Sequence, residues 1–162
     1  MSLRRIVLLT VVFALALCVS GARAQMPNPY GQPISLEDAK KAAAPALAEA
    51  RKNNWFMAVA IVNPDGTLIY FEKMDGTQNG SAAVAIEKAR TSARFKRPTK
   101  ALQDAIAAGG EGLRILGLRD ATPLEGGIPL LIEGKIVGAI GVSGGASAQD
   151  GQCAKAGADT VA

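Results

Sequence analysis

Two β-hairpins constrain the fold of this chain more than any other feature of its sequence. In the first, an apolar run over residues 55–62 is followed by the turn residues Asn63-Pro64-Asp65-Gly66 and then by a β-branched and aromatic run over residues 67–71. Runs of this kind on either side of a short turn predict two paired strands. Because a tight turn connects only antiparallel strands, this hairpin excludes a purely parallel sheet.

The second hairpin lies in the last third of the chain. Gly126 and Gly127 lead into an apolar run over residues 128–132, and a Glu-Gly-Lys turn at residues 133–135 connects it to a second run over residues 136–142. We expect both hairpins to belong to one antiparallel sheet, since each presents at least one apolar face that needs covering.

Apolar residues at helical spacing predict four helices around the hairpins. The first begins at Ser35, which forms a weak capping box with Asp38, and Pro45 is expected to kink it. The other three are predicted over residues 81–95, 99–108 and 146–158. Residues 113–118 show no pattern that assigns them. The order of elements predicts a single domain over residues 35–162, of the α/β class in its α+β form, with helices packed on an antiparallel sheet.

The first 24 residues have the pattern of a secretory signal peptide. Arg4 and Arg5 precede an apolar run over residues 6–19, and Ala22-Arg23-Ala24 is a small-x-small cleavage site. Cleavage is expected before Gln25, which leaves an extended arm over residues 25–34 and a periplasmic or secreted protein. Three of the 18 basic residues lie in this segment, so the remaining chain is close to neutral.

Composition excludes several classes of protein. The chain contains no histidine, which excludes Ser-His-Asp and Cys-His triads and removes the commonest haem ligand. Cys153 is the only cysteine after the signal peptide, so no intramolecular disulfide is expected. A near-neutral chain with few aromatic residues does not indicate a nucleic-acid partner. No second apolar run approaches the roughly 20 residues of a membrane span.

Ser143 lies in a glycine-rich segment that has two interpretations. Gly141-Val142-Ser143-Gly144-Gly145 matches the pattern of a nucleophile elbow, but the chain has no histidine to activate the serine. The same glycines before a helix could seat an anion. The alternative is that they allow close packing of strands and a sharp turn, which we favour.

Arg90 and Arg94 recur at helical spacing and share one face of the second predicted helix. They form either a solvated basic face or a surface that binds carboxylates. Met74 borders a polar loop and could ligate a haem iron, as could Tyr30, Tyr70 or Cys153, but no spacing distinguishes among them.

Taken in order, several short motifs resemble the GlcG/HbpS-like haem-binding and haem-degrading family. They are Asn63-Pro64-Asp65-Gly66, Met74-Asp75-Gly76, Lys88-Ala89-Arg90-Thr91-Ser92-Ala93, Gly126-Gly127-Ile128-Pro129-Leu130, Gly138-Ala139-Ile140-Gly141-Val142-Ser143-Gly144 and Gln149-Asp150-Gly151-Gln152-Cys153-Ala154. Each motif is weak by itself, and the ordered set is specific.

The resemblance implies a five-stranded antiparallel sheet flanked by helices, of the profilin-like or PAS-like kind, assembled into oligomers. It also implies that some members bind haem outside the cell and help to degrade it or to signal its presence. Haem-binding members use histidines near the site, and this chain departs from them because it has none.

Three hypotheses for function follow. The first is an exported protein that binds haem or a related tetrapyrrole, with a homo-oligomer held by the small-residue segments 138–144 and 146–158. Its candidate site residues are Arg90, Arg94 and Arg119 for the propionates, with Met74, Gly126, Gly127 and Ser143. The second is an enzyme acting on a small carboxylate or reactive metabolite, with Asp75, Glu125 or Asp150 as general base. The third is a structural or signalling partner that binds no ligand.

Overall fold

The computed structural model describes residues 28–161. Its elements, in chain order, are α1 (Leu36–Lys52), β1 (Ala58–Val62), β2 (Leu68–Lys73), α2 (Gly80–Phe95), α3 (Thr99–Ala107), a 3-10 helix (Gly110–Gly117), β3 (Gly127–Ile132), β4 (Lys135–Ser143) and α4 (Ser147–Ala158). This confirms the mixed fold of helices on an antiparallel sheet. The predicted signal peptide and the first residues of the arm lie outside the described residues.

Within residues 28–161 the sheet has four strands, in the order β2-β1-β4-β3, and every neighbouring pair is antiparallel. The fifth strand implied by the family resemblance is wrong for this part of the chain. The unassigned residues 113–118 belong to the 3-10 helix and the turn after it. Over its described residues 28–34, the N-terminal arm makes one parallel bridge, from Tyr30 to Ile136, because Pro29 and Pro33 have no backbone N–H to extend a ladder.

The arm is nevertheless fastened to the free edge of β4 beyond the end of β1. The Gly31 amide donates to the carbonyl oxygen of Ile136 at 2.8 Å, and the Ile136 amide donates to that of Pro29 at 2.8 Å. The Tyr30 hydroxyl donates to the carbonyl oxygens of Ala93 and Arg94 at the end of α2. The arm therefore contacts both the sheet and a helix.

Two layers of helix cover the two faces of the sheet. Alternate residues of the central strands separate into two groups, as the two-residue period of a strand requires. Val59, Ile61 and Ile140 pack with the buried alanines of α1 and the buried Cys153 of α4. On the other face, Ala58, Ala60 and Ala139 pack with Ala85, Ala89 and Ala93 of α2. The core is thus two apolar layers separated by the sheet.

Small residues bring the helices close to the sheet and to each other. A Cβ atom on Gly141 would collide with the carbonyl oxygen of Ala85 in α2. A Cβ atom on Gly157 of α4 would collide with that of Ala42 in α1. Small residues in the segments that the sequence suggested for subunit contacts therefore serve close packing inside the domain. The same close packing leaves no space for a planar ring between α2 and the sheet at Gly141.

The first residues of α1 and α2 show which of the two predicted N-terminal caps, Ser35 and Ser81, forms. Ser35 caps α1 as expected, because its hydroxyl accepts the Asp38 amide at 3.0 Å. The helix then continues through Pro45 to Lys52. Ser81, predicted to cap the next helix, lies inside α2 instead, and its buried hydroxyl has no hydrogen-bond partner.

Candidate functional site

The family-like motifs meet where β3 begins and β4 ends. Lys88 comes from α2 and Asp150 from α4, and their Nζ and Oδ2 atoms lie 2.7 Å apart. Their side chains are only 2% and 4% exposed. Since α2 and α4 cover opposite faces of the sheet, this ion pair connects the two helical layers beside the start of β3.

Gly126 and Gly127 provide the space through which the Lys88 side chain passes. A Cβ atom on Gly126 would lie 2.6 Å from the Val142 carbonyl oxygen and 3.1 Å from Lys88 Nζ. The backbone of Gly126 also has φ +124°, a conformation that residues with side chains rarely adopt. The Gly127 amide donates to the Thr99 hydroxyl at 2.9 Å, which fixes the start of β3 against α3.

Both charged groups have further hydrogen bonds. Lys88 Nζ donates to the Val142 carbonyl oxygen at 3.1 Å, and the Gly145 amide donates to Asp150 Oδ1 at 3.0 Å. Burial raises the pKa of Asp150, and the bonds from Lys88 and Gly145 oppose that rise. A carboxylate of the chain itself thus occupies the glycine-rich turn that the sequence offered to an external anion. Ser143 is buried in the same region, at the end of β4, where it is the strand partner of Ala58 in β1.

Arg90 and Arg94 lie in the second half of α2, with their guanidinium groups against the β1–β2 turn. Arg90 Nε donates to the Gly66 carbonyl oxygen at 3.1 Å, and its Nη1 pairs with Glu87 at 2.7 Å. Arg94 Nε donates to the Asp65 carbonyl oxygen at 3.1 Å. The structure therefore does not bring these arginines together with Gly126, Gly127 and Ser143, and both guanidinium groups hold a turn.

The candidate iron ligands among the described residues are hydrogen-bonded or at least partly buried. Met74 packs against the core beneath α1 and α4. The Tyr30 hydroxyl donates to carbonyl oxygens of α2, and the Tyr70 hydroxyl donates to Glu72 at 2.6 Å. Cys153 is buried, and burial raises the pKa of its thiol to about 11. Both tyrosine hydroxyls are thus hydrogen-bonded and the Cys153 thiol is buried, whereas the Met74 side chain is only partly buried.

The three candidate general bases do not converge on one reactive centre. Both oxygens of Asp150 are occupied by Lys88 and Gly145. Asp75 is exposed in the loop before α2, and Glu125 contacts Gly151 of α4. Within the described part of the chain, no group of three or more Cys, Asp or Glu side chains could hold a metal ion.

A surface that the sequence analysis missed lies on and after the 3-10 helix. Four leucines within twelve residues are exposed, Leu113 by 50%, Leu116 by 67%, Leu118 by 42% and Leu124 by 44%. We call these four residues the leucine surface. A Cβ atom on Gly112 would collide with the Ala105 carbonyl oxygen, so that side of the helix faces α3. With three residues per turn, Leu113 and Leu116 align on a different side.

Charged residues accompany the leucine surface. Arg114 pairs with Glu111 at 3.5 Å on the 3-10 helix, and both side chains are exposed. Arg119 and Asp120 follow in the exposed turn. Among residues 28–161, no carboxylate lies within ion-pair distance of Arg119. Of the three arginines proposed from sequence, only Arg119 makes neither an ion pair nor a side-chain hydrogen bond among the described residues, so its whole guanidinium group is available to an acidic group of a ligand.

The cavity between the N-terminal arm and the β3–β4 turn has a volume of about 300 Å³. Ile34, Asp38, Lys135 and Val137 are among the residues that line it. This volume is at the lower end of the range for small-molecule pockets, so the cavity is too small to enclose a tetrapyrrole.

None of the helices over residues 28–161 has the length and apolar composition to cross a bilayer.

Comparisons with known proteins bear on the whole domain. A family model described as haem degrading protein HbpS-like matches residues 34–159. The protein GlcG of Escherichia coli is 38% identical over 110 residues, which cover 68% of this chain and 81% of GlcG. A double mutant of HbpS from Streptomyces reticuli has a TM-score of 0.74 at 28% identity, over 89% of this chain and 96% of that one. The PduOC complex with haem has a TM-score of 0.72 at 26% identity, over 80% and 95%.

Proposed function

Since the chain belongs to the HbpS-like family of haem-degrading proteins, we propose that it is an exported protein that binds haem or a related planar tetrapyrrole. The complex of its structural neighbour PduOC with haem supports this choice of ligand. The pattern of residues 1–24 supports export, and N-terminal sequencing of the exported protein tests it. A mature chain that begins at Gln25 is the expected result.

The observation that most supports a binding site is the exposure of the leucine surface beside Arg119. Globular proteins seldom leave several large apolar side chains exposed together unless something covers them. A tetrapyrrole ring has two broad apolar faces, and haem carries two carboxylates on one edge. The leucines would contact a ring face, and the Arg119 guanidinium would meet a propionate.

The strength of this contact follows from the exposed leucines. Together they expose about as much surface as two complete leucine side chains. Covering that surface contributes roughly 3–6 kcal/mol, at about 1.5–3 kcal/mol for each side chain. Micromolar binding needs about 8 kcal/mol, before the losses of side-chain freedom on association. One leucine surface alone therefore gives binding weaker than micromolar.

The described residues fit the ring and the propionates better than they fit the iron. Haem would supply the redox chemistry of its iron, while the chain supplies apolar contact and a guanidinium group. The chain has no histidine, Met74 is partly buried, the hydroxyls of Tyr30 and Tyr70 are hydrogen-bonded and the Cys153 thiol is buried. Ferric haem is therefore expected to be high-spin.

A haem titration followed at the Soret band tests this proposal. Leu116→Glu and Arg119→Ala should each weaken binding, Leu116→Glu by at least tenfold. Matched controls are Leu36→Asp, at a leucine that is 52% exposed on α1, and Arg94→Ala, whose guanidinium holds the β1–β2 turn. The proposed site is wrong if the control variants weaken binding as much as Leu116→Glu and Arg119→Ala do. Loss of the Soret band with a reductant and oxygen would measure degradation in the same samples.

The enzyme hypothesis receives less support from the geometry. A general base must reach the proton it removes, and Asp150 is buried with both oxygens occupied. Asp75 is exposed in the loop before α2. Turnover of a small carboxylate that is lost in Asp75→Asn would favour this hypothesis over ligand binding.

A further inference from the structure

We propose that the cleft between the N-terminal arm and the β3–β4 turn binds a small zwitterion with an aliphatic side chain, of the class of branched α-amino acids. Two stretches that are distant in the sequence form this cleft, residues 31–38 and 132–137. The site is separate from the leucine surface, and the proposal does not depend on haem.

The first step is the size of the cleft. Its volume of about 300 Å³ is the liquid volume of roughly ten water molecules, at about 30 Å³ for each. It lies at the lower end of the range for small-molecule pockets. The cleft therefore suits a ligand much smaller than a tetrapyrrole, of the size of a single amino acid.

The second step is the apolar floor of the cleft. Ile34 and Val137 line it and are each 6% exposed, and both belong to the core layer that packs with α1 and α4. Ile132 lines it nearer the surface and is 38% exposed. Among the described residues that line the cleft, none is aromatic. The floor thus favours an aliphatic group over a ring that needs stacking.

The third step is the charge at the rim. Glu133 and Lys135 both line the cleft, and in the part of the chain that the structure describes neither forms an ion pair. Asp38 differs from them, because its carboxylate already accepts from the Ser35 hydroxyl and from Lys41. The rim therefore presents one unmatched anion and one unmatched cation. A ligand that carries both an ammonium and a carboxylate complements both.

The fourth step is the rigidity of the two walls. Glu133 and Gly134 are the central residues of the β3–β4 turn, with φ +50° and +71°. Positive φ at both positions is typical of the two-residue turns that match the twist of a hairpin. On the other wall, the Ile34 amide donates to the Val137 carbonyl oxygen at 2.8 Å. Both walls are thus held in place before a ligand binds, which limits the freedom lost on binding.

The experiment is a calorimetric titration of the full chain with L-leucine as the probe. We expect one leucine to bind to each chain. Isocaproate lacks the ammonium, isoamylamine lacks the carboxylate and glycine lacks the aliphatic side chain. Each of these three probes should bind more weakly than leucine by about tenfold or more, because each leaves one part of the site unmatched.

Two variants test the assignment of the rim charges. Glu133→Gln and Lys135→Met should each weaken leucine binding by about tenfold or more. Glu133→Gln should leave the affinity for isocaproate unchanged, and Lys135→Met should leave the affinity for isoamylamine unchanged. Matched controls are Glu111→Gln and Lys155→Met, whose side chains are 90% and 69% exposed on other elements. Thermal melting confirms that all four variants are folded.

The outcomes separate this inference from the proposed function. Absence of heat and of any thermal shift with millimolar leucine would overturn the site. Equal affinity for leucine, isocaproate and isoamylamine would overturn a zwitterionic ligand. Control variants that weaken leucine binding as much as Glu133→Gln does would overturn the assignment to this cleft. Leu116→Glu should leave leucine binding unchanged, and Glu133→Gln should leave the haem titration unchanged, so either proposal can fail without the other.

Discussion

Replacement of Lys88 by methionine tests whether the buried ion pair connects the two helical layers. Methionine keeps the length and the apolar stem of the side chain but removes the ammonium group. Asp150 then remains buried and loses its bond of 2.7 Å, while the Gly145 amide still donates to it. Removing one partner of a buried pair typically costs about 3–5 kcal/mol. For a domain of this size we expect the midpoint of thermal unfolding to fall by roughly 10–20 °C.

The pH dependence identifies the cause of that loss. Burial already raises the pKa of Asp150, so the folded protein binds a proton at this carboxyl more readily than the unfolded chain does. The contribution of Asp150 to stability is therefore present at low pH and is lost as the pH rises through its folded pKa. Without Lys88 that pKa rises further. The destabilisation by Lys88→Met should thus be smaller at pH 4 than at pH 7.

Denaturant unfolding of a double-mutant cycle provides the assay. Asp150→Leu alone should also be destabilising, because it leaves the Lys88 ammonium buried without a carboxylate. The double variant Lys88→Met with Asp150→Leu should recover much of the loss, since neither charge remains. A loss below about 1 kcal/mol in Lys88→Met, or a loss equal at both pH values, would refute a charged pair as the connection.

Three further outcomes follow from the geometry. Gly126→Ala should lower the free energy of unfolding by at least about 2 kcal/mol in chemical denaturation, because the new Cβ would collide with the Val142 carbonyl oxygen and crowd Lys88 Nζ, and because φ is +124°. Gly134→Ala, where φ is +71° and no atom lies nearby, is the control for backbone strain alone. Iron-free protoporphyrin should bind within about threefold of haem in a fluorescence titration, and much weaker binding would reveal an iron ligand. Cys153 should react with a thiol reagent at pH 8 far more slowly in the native than in the denatured protein, since its pKa is raised to about 11; equal rates would contradict its burial.

The parts of this fold that the sequence predicts are those with a local signal. The turn at residues 63–66 and the runs beside it locate the first hairpin, and Ser35 locates the start of α1. The spacing of Arg90 and Arg94 correctly places them on one side of α2. It does not reveal that both guanidinium groups bond to the neighbouring turn, because that partner comes from another element.

The parts that sequence reasoning missed depend on contacts between distant segments. Lys88 and Asp150 are 62 residues apart, on helices that cover opposite faces of the sheet, and no periodicity relates them. The leucine surface was missed because residues 113–118 follow the three-residue period of a 3-10 helix. Leu113 and Leu116 show that spacing, which is the signal that could have located their shared side.

The N-terminal arm has a consequence for how molecules of this protein behave in a crowded solution. An uncovered length of β4 would present unpaired backbone donors and acceptors to which a strand of another molecule could add. The Gly31 amide donates to the carbonyl oxygen of Ile136, the Ile136 amide donates to that of Pro29, and Tyr30 fastens this closure to α2. Pro29 and Pro33 also make the arm itself a poor template for a further strand, since neither has an amide hydrogen to donate. The arm thereby protects this edge of the sheet from aggregation.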